Sequence, residues 1–273
     1  MDRKLWARLG LVLLLVVSLA CTATPPPLSP SPGPTAPPPP TPTATLSDSG
    51  WRALSEGIET RSLTAYAGSG VERLTIARVD PQVVRFRVLY TPGSASPVSG
   101  WSTQTGASLV VNAGYFTEEN RVTGLTVSNG EVYGAAYGDY AGLFSVTHEG
   151  SAGVRWLREQ PYVPGESLRE AVMCFPVLVK PGGVMGFPAD ADDGRTSRRT
   201  VVAQDSAGRI LFLVAEYGRF DLHHLAVWLA ESDLEIDIAV NLDGGTSSGF
   251  WTPGGPQIDS ITPVPAVIAV TSP

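Results

Sequence analysis

Cysteine is almost absent from this chain of 273 residues, which contains only Cys21 and Cys174. Cys21 belongs to the N-terminal segment described below, so Cys174 has no partner and no intrachain disulfide is predicted. Cys174 lies in the apolar segment 171–175. We interpret it as a small buried hydrophobic side chain rather than a nucleophile.

Basic residues are outnumbered by acidic ones, 19 to 26, which gives a net charge of −7. This balance argues against nucleic acid and against electrostatic docking on anionic lipid, because both attract clustered lysine and arginine. The sequence also lacks His-Glu-x-x-His and a P-loop. Zinc and nucleoside-triphosphate chemistry therefore have no support, and we predict neither a metal nor a cofactor.

The N-terminal segment has the pattern of a secretory signal. A basic start precedes an apolar run from Leu9 to Ala20, and this run is shorter than the roughly 20 residues of a membrane-spanning helix. Ala20 followed by Cys21 resembles the lipobox of bacterial lipoproteins. We predict a signal peptide over residues 1–20, lipidation of Cys21 and an extracytoplasmic, membrane-anchored lipoprotein. An uncleaved N-terminal anchor is the alternative.

Residues 21–50 are predicted to be a spacer between the lipid anchor and the domain. They hold eleven of the 24 prolines and almost no apolar side chains. Such a composition favours an extended, semi-rigid tether. The remaining residues, 51–273, are long enough for one domain with a sizeable core.

Strand patterns dominate residues 51–273. Asn129-Gly130 between two β-rich segments indicates a hairpin, because both central residues of a type I′ turn need φ > 0. Asp221 is the predicted N-cap of one helix, whose apolar stripe runs from Leu222 to Leu229. We predict an α+β fold with an antiparallel or mixed β-sheet and a few helices in a single domain. The predicted strands are 74–79, 83–90, 108–111, 125–127, 131–133, 143–146, 154–157, 176–180, 200–204, 209–215, 236–240 and 265–270.

The run Asn241–Ser248 carries the strongest sign of chemistry. It follows a predicted buried strand and reads Asn-Leu-Asp-Gly-Gly-Thr-Ser-Ser. Gly244 and Gly245 allow close approach of a ligand to the backbone, and successive N–H groups can converge on an anion. Asp243 adds a carboxylate and Ser247 a hydroxyl group. An ordinary β-turn with an Asx cap is the alternative.

Two further segments are candidates for the same site. Asn112-Ala113-Gly114-Tyr115-Phe116 follows a short apolar strand and presents an amide, open backbone and two aromatic rings. Arg195–Thr200 is basic within an acidic chain, and the arginine fork binds phosphate or carboxylate. An ordinary strand-to-loop transition and a solvated loop that neutralises nearby aspartates are the respective alternatives.

In this order and spacing, the segments resemble the phosphodiester glycosidase family of N-acetylglucosamine-1-phosphodiester alpha-N-acetylglucosaminidase (uncovering-enzyme-like) domains. The resemblance rests on Asn112-x-Gly114-Tyr115-Phe116, on 176–182, on Arg199-Thr200 and most specifically on Asn241–Ser248. Ala113 and Thr246 stand where the family has glycines, and we expect both side chains to narrow the room for a ligand. The resemblance implies an α+β fold and hydrolysis of a glycosidic bond in a sugar-1-phosphodiester of the GlcNAc-1-phosphate type.

The predicted site combines these segments. Asp243 and Glu216 are the candidate catalytic carboxylates, because glycoside hydrolysis usually uses a pair; Glu118 or Glu119 is the alternative second carboxylate. The expected partner is a sugar phosphodiester or a phosphate-bearing glycan. A noncatalytic envelope module that binds such glycans and a purely structural lipoprotein are the competing functions. The candidate substrate-binding residues are Asn112, Gly114, Arg199, Gly244, Gly245 and Ser247.

Overall fold

A computed structural model describes residues 46–272. The predicted signal peptide, the lipidation site Cys21 and most of the proline-rich spacer lie outside the described residues. The described residues belong to one compact unit. None of the helices within 46–272 combines the length and apolar character that a membrane crossing requires.

The described part of the chain is built mainly of short strands. Two α-helices and two short 3-10 helices (Ala189–Ala191 and Gly245–Ser247) complete it. In chain order the strands and α-helices are β1 (Arg52–Ser55), β2 (Ile58–Tyr66), β3 (Val71–Val79), β4 (Arg85–Tyr90), α1 (Val98–Thr105), β5 (Leu109–Asn112), β6 (Thr126–Ser128), β7 (Glu131–Tyr133), β8 (Gly142–Thr147), β9 (Ala152–Trp156), β10 (Leu168–Cys174), β11 (Val177–Lys180), β12 (Val184–Met185), β13 (Ser197–Asp205), β14 (Ile210–Phe220), α2 (Leu222–Glu231), β15 (Ile236–Asn241), β16 (Phe250–Trp251), β17 (Gln257–Ile258) and β18 (Ala266–Thr271).

These strands form three antiparallel sheets. The first has eight strands in the order β1-β2-β3-β14-β13-β15-β11-β12, the second is β7-β6-β10-β8-β9, and the third is β17-β16-β5-β18-β4. The α+β prediction is confirmed, and the described strands pair antiparallel throughout their ladders.

The central core lies where the three sheets meet. Phe86 of the third sheet, Phe144 of the second and Phe212 of the first touch one another, with ring centroids 5.6 to 6.4 Å apart. The opposite face of the eight-stranded sheet is covered by α2, through Leu225, Ala226 and other apolar residues. Helix α1 covers the outer face of the third sheet. The inner faces of the three sheets are therefore buried against one another.

Local sequence signals are confirmed where they rest on turn or cap chemistry. Asn129 and Gly130 have φ of 51° and 85° and join β6 to β7. The side chain of Asp221 accepts a hydrogen bond from the His224 N–H and caps α2. The hairpins β8–β9 and β13–β14 also form. These features depend on a few neighbouring residues, so sequence alone predicts them.

The sequence did not predict strands β1, β2 and β10 or helix α1. Helix α1 has weak apolar periodicity; it is held by the buried Trp101, whose Nε1–H donates to the Val264 carbonyl at 2.9 Å. Strands β3 and β4, adjacent in sequence, enter different sheets. Ser47 and Asp48, assigned to the spacer, already pair with β2. In each case long-range packing overrides the local pattern.

Candidate active site

The side-chain amide of Asn112, at the end of β5, joins the three sequence motifs. Its Nδ2 donates to the Asp243 carbonyl at 2.7 Å. Its Oδ1 accepts from the Thr200 hydroxyl at 2.8 Å and from the Gly249 N–H at 3.0 Å. The side chain is fully buried, so these bonds form in the interior, where an unmade hydrogen bond is most destabilising.

Two of the predicted substrate contacts have packing roles in the structure. Asn112 has no exposed surface, so its amide positions the motif loops instead of facing a ligand. A Cβ at Gly114 would lie 3.4 Å from the Met173 carbonyl and from Val172, so Gly114 packs against β10. The motif segments thus meet as predicted, but Asn112 acts behind the site.

Asp243 presents the carboxylate at this meeting point. It is half-buried, and burial raises its pKa from 3.8 to about 6. The Ser247 hydroxyl and the Gly244 N–H oppose that rise, because both favour the ionised form. Ser247, predicted to contact substrate, is itself buried and supports Asp243.

The backbone after Asp243 requires its two glycines. Gly245 has φ +61°, and a Cβ at Gly244 would lie 2.8 Å from the Arg198 carbonyl. The Gly244 N–H donates to Asp243 Oδ1 at 2.9 Å. Gly244 was predicted to bind phosphate, but in this conformation its N–H is occupied by the carboxylate.

Arg198 fastens the same loop from β13. One terminal nitrogen donates to the Ser248 carbonyl at 2.8 Å and to the Asp259 carbonyl at 3.2 Å. Burial lowers the pKa of Arg198, while nearby Glu216 and Asp259 counteract this shift. The sequence marked the arginine pair as basic; only the structure distinguishes Arg198, which holds the loop, from its neighbour.

Tyr115 lies beside Asp243. Its hydroxyl donates to the Phe175 carbonyl at 2.9 Å and accepts from Asn241 Nδ2 at 2.9 Å. Burial raises the pKa of Tyr115; the Asp243 carboxylate adds to the rise and Arg199 counteracts it. Tyr115 is therefore within electrostatic range of both the candidate carboxylate and the candidate phosphate ligand.

Arg199 lines a pocket of about 450 Å³ together with Arg195, Asp192 and Asp193. It donates to the Phe220 and Arg195 carbonyls at 3.3 and 2.6 Å. Burial lowers its pKa, while Tyr115 and the nearby aspartates counteract this shift. Within residues 46–272 no carboxylate forms an ion pair with Arg199; the loop aspartate Asp193 pairs with Arg195 instead. The guanidinium is thus held in place by carbonyl groups.

The candidate second carboxylates stay predictions, because a catalytic pair of carboxylates need not be in contact. Glu216 accepts a 2.6 Å hydrogen bond from the Thr75 hydroxyl, and burial raises its pKa while Arg73 and Arg198 lower it. In the described structure no hydrogen bond or ion pair joins Glu216 to Asp243. Glu118 and Glu119 are exposed in the turn after β5. Asp243 is therefore the carboxylate on which the three motifs converge.

The two departures from the family pattern have different surroundings. Ala113 is buried in the central core, and its carbonyl accepts the Asp243 N–H at 3.2 Å. The expectation that its side chain narrows the ligand space is therefore wrong. Thr246 is exposed, and its hydroxyl accepts from Thr262 at 2.8 Å; for Thr246 the expectation stays a prediction.

Sequence reasoning missed two neighbours of the site. Asn241, read only as the start of the motif, holds Tyr115 through its amide. Tyr137 lies close enough to Asp243 for the carboxylate to help raise its pKa, although burial is the main cause. Tyr137 follows a turn with no motif of its own, so only its three-dimensional position identifies it. Over residues 46–272 no group of histidine, cysteine and acidic side chains is arranged to hold a metal ion.

A family model described as phosphodiester glycosidase matches residues 105–271. The chain belongs to this family. The catalytic domain of zebrafish N-acetylglucosamine-1-phosphodiester alpha-N-acetylglucosaminidase, auto-inhibited by its pro-peptide, is similar at 17% identity with a TM-score of 0.64, over 85% of this chain and 89% of that chain. A hypothetical protein from Synechocystis is similar at 15% identity with a TM-score of 0.60, over 85% and 64%. These likenesses show the fold. No curated protein matches the chain.

Replacing Asn112 should destabilise this phosphodiester glycosidase domain more than replacing an asparagine on its surface. Asn112→Asp exchanges the buried N–H donor for an oxygen that faces the Asp243 carbonyl. We expect the free energy of unfolding to fall by about 3 kcal/mol, because a buried polar group loses its partner. Denaturant unfolding measures the change, with the exposed turn variant Asn129→Asp as the matched control. Equal stability of the two variants would contradict the central role of Asn112.

The raised pKa of Asp243 predicts a pH-dependent effect on stability. The fold favours the protonated group, so this contribution is complete below about pH 4 and is lost as the pH rises through about 6. Asp243→Asn stays neutral, so its stability relative to the parent should increase by up to about 3 kcal/mol between pH 4 and pH 8. Unfolding at several pH values measures this, with Asp237→Asn as control. A difference independent of pH would show that Asp243 titrates normally.

Proposed function

We propose that this chain hydrolyses the glycosidic bond of a sugar-1-phosphodiester, of the GlcNAc-1-phosphate type. The observation that carries the proposal is the half-buried Asp243 carboxylate, with a pKa of about 6, where the three family motifs converge. Family membership supports the glycosidase chemistry. The name of the zebrafish enzyme supplies the type of substrate.

In the proposed reaction, Asp243 acts as the general base. With a pKa of about 6 it is about nine-tenths ionised at pH 7. It takes a proton from water while the water oxygen attacks the anomeric carbon. The bond between that carbon and the phosphate oxygen breaks, and its electron pair leaves with the phosphate monoester.

A single carboxylate is sufficient for this chemistry. Glycosidases that expel an alcohol need a second carboxyl group to protonate the leaving oxygen. A phosphate monoester is a far weaker base, with a second pKa of about 6, so it leaves without that proton. The guanidinium of Arg199 holds the phosphate and stabilises the charge that develops on it.

A noncatalytic glycan-binding module is the second candidate. The observation that favours it is that Ala113 and Thr246 stand where the family has glycines. Such a module would use Arg199 and the motif loops to bind the phosphate-bearing glycan without turnover. Binding without release of sugar across a panel of sugar phosphodiesters would establish it.

Activity should depend on Asp243. Asp243→Asn removes the base and should lower kcat by about 10²- to 10⁴-fold, with a smaller change in substrate binding. Release of N-acetylglucosamine from an N-acetylglucosamine-1-phosphodiester measures the effect. Asp237→Asn, in strand β15 but outside the site, is the matched control and should retain activity. Full activity of Asp243→Asn would refute the assignment of the base.

We also propose that the protein is an extracytoplasmic lipoprotein, anchored through Cys21. The support is the basic, apolar and small-residue order of Met1–Cys21. The two cysteines provide a clean comparison, because Cys174 is buried in the core.

Labelled fatty acid should be incorporated into the parent and into Cys174→Ser, but not into Cys21→Ser. Gel analysis of the labelled protein after expression in a bacterial host measures this. Label that persists in Cys21→Ser, or a parent that takes up none, would exclude the lipid anchor.

A further inference from the structure

Three aromatic side chains form a wall next to Asp243. They are Tyr137, Tyr140 and Phe175, and we call them the aromatic wall. The Phe175 ring meets the edges of both tyrosines, with centroids 5.0 Å from Tyr137 and 5.6 Å from Tyr140 and interplanar angles of 88° and 80°. Tyr115 packs against the same phenylalanine at 5.1 Å. The wall is therefore a packed and oriented group.

The Tyr140 ring is fixed in place but remains open to solvent. Its side chain is 51% exposed. A Cβ at Gly138 would come within 2.9 Å of its ring, so the ring lies directly against the glycine backbone. The protein thus supports one side of an aromatic ring and leaves much of its apolar surface in water. With the half-buried Tyr137 and Phe175 beside it, the ring is part of an aromatic group that reaches the surface.

Hydrogen bonds and strand pairing connect the wall and Arg199 to the segment that carries Asp243. The Asn241 amide, two residues before Asp243, donates to the Tyr115 hydroxyl at 2.9 Å and to the Phe175 carbonyl at 3.3 Å. Tyr115 also packs on the Phe175 ring of the wall. Arg199 lies two residues before Val201, which pairs with Asn241 across β13 and β15. A ligand with an apolar part and an anionic part would have a separate contact for each.

The exposed ring of Tyr140 offers an apolar face that suits a sugar. In the described structure, the arginine and lysine contacts to aromatic faces involve Trp51, Trp156 and Tyr217, and none involves the wall. The C–H face of a pyranose is apolar and can pack on an aromatic ring, while its hydroxyl groups remain near water.

We propose that Tyr140 and Tyr137 form the sugar subsite of this enzyme, with the pyranose ring stacked on Tyr140 and the phosphate directed past Tyr115 toward Arg199. This inference rests on the proposed function and adds the orientation of the substrate, with its sugar at Tyr140 and its phosphate at Arg199. The glycosidic bond then spans the space beside Asp243. Specificity for the sugar comes from the wall, and specificity for the phosphate from Arg199.

Binding measurements on the purified protein test the sugar contact and the phosphate contact separately. The probes are N-acetylglucosamine, N-acetylglucosamine 1-phosphate and inorganic phosphate, measured by calorimetry or by NMR titration. Tyr140→Ala should weaken both sugar probes about three- to tenfold, the range expected for one aromatic contact. It should leave inorganic phosphate binding unchanged.

Three further variants serve as controls. Tyr140→Phe keeps the ring and should bind like the parent. Tyr66→Ala removes a comparably exposed tyrosine, 58% exposed on β2, and should have no effect. Arg199→Ala should show the opposite pattern, with loss of phosphate binding and retention of the sugar.

The subsite is overturned if the parent binds no sugar, if Tyr140→Ala binds sugar normally, or if that variant weakens inorganic phosphate equally. Because binding needs no turnover, the outcomes distinguish the two proposals. Sugar binding that depends on Tyr140, without hydrolysis of any sugar phosphodiester, contradicts only the proposed function. Hydrolysis that is indifferent to Tyr140 contradicts only the subsite.

Discussion

The packing of three sheets onto one another is the constraint on which the rest of this structure depends. Phe86, Phe144 and Phe212 come from different sheets and meet in the central core. Their burial removes a large apolar area from water and sets the relative positions of the sheets. Asn112 ends a strand of the third sheet, while Asp243 follows a strand of the first. The site exists because this core brings those two strand ends together.

A small number of buried polar groups then define the site. The Asn112 amide connects β5, β13 and the Asp243 loop through three hydrogen bonds. Buried polar networks of this kind rigidify a structure when every member is satisfied. The partial burial that accompanies them also raises the pKa of Asp243 toward neutrality. The buried surroundings therefore both position the Asp243 carboxylate and raise its pKa.

In the proposed reaction, separate groups around Asp243 have separate roles. Arg199 is held by backbone carbonyls, and the aromatic wall offers the exposed Tyr140 ring. The proposed leaving group is a weak base and removes the need for a second carboxylate. The departure at Ala113 leaves these roles intact, because its side chain is buried in the central core.

Local features of this protein could be read from its sequence. Asn129-Gly130 specifies a turn through its backbone preferences, and Asp221 specifies a helix start through its capping oxygen. The motif Asn241–Ser248 identified Asp243, because a carboxylate and two glycines after a buried strand are poor core material. The family resemblance rested on the same residues and is confirmed.

Roles that depend on burial and distance could not be read in this way. Asn112 resembles a ligand contact in sequence, but in the structure it is a buried residue that joins the motif loops. Tyr140 has no motif at all. The sequence by itself determined the turns, the helix cap and the chemistry-bearing loop, since these are local properties of the chain. Only the tertiary structure decided which side chains share a site, because hydrophobic packing between distant strands sets those distances.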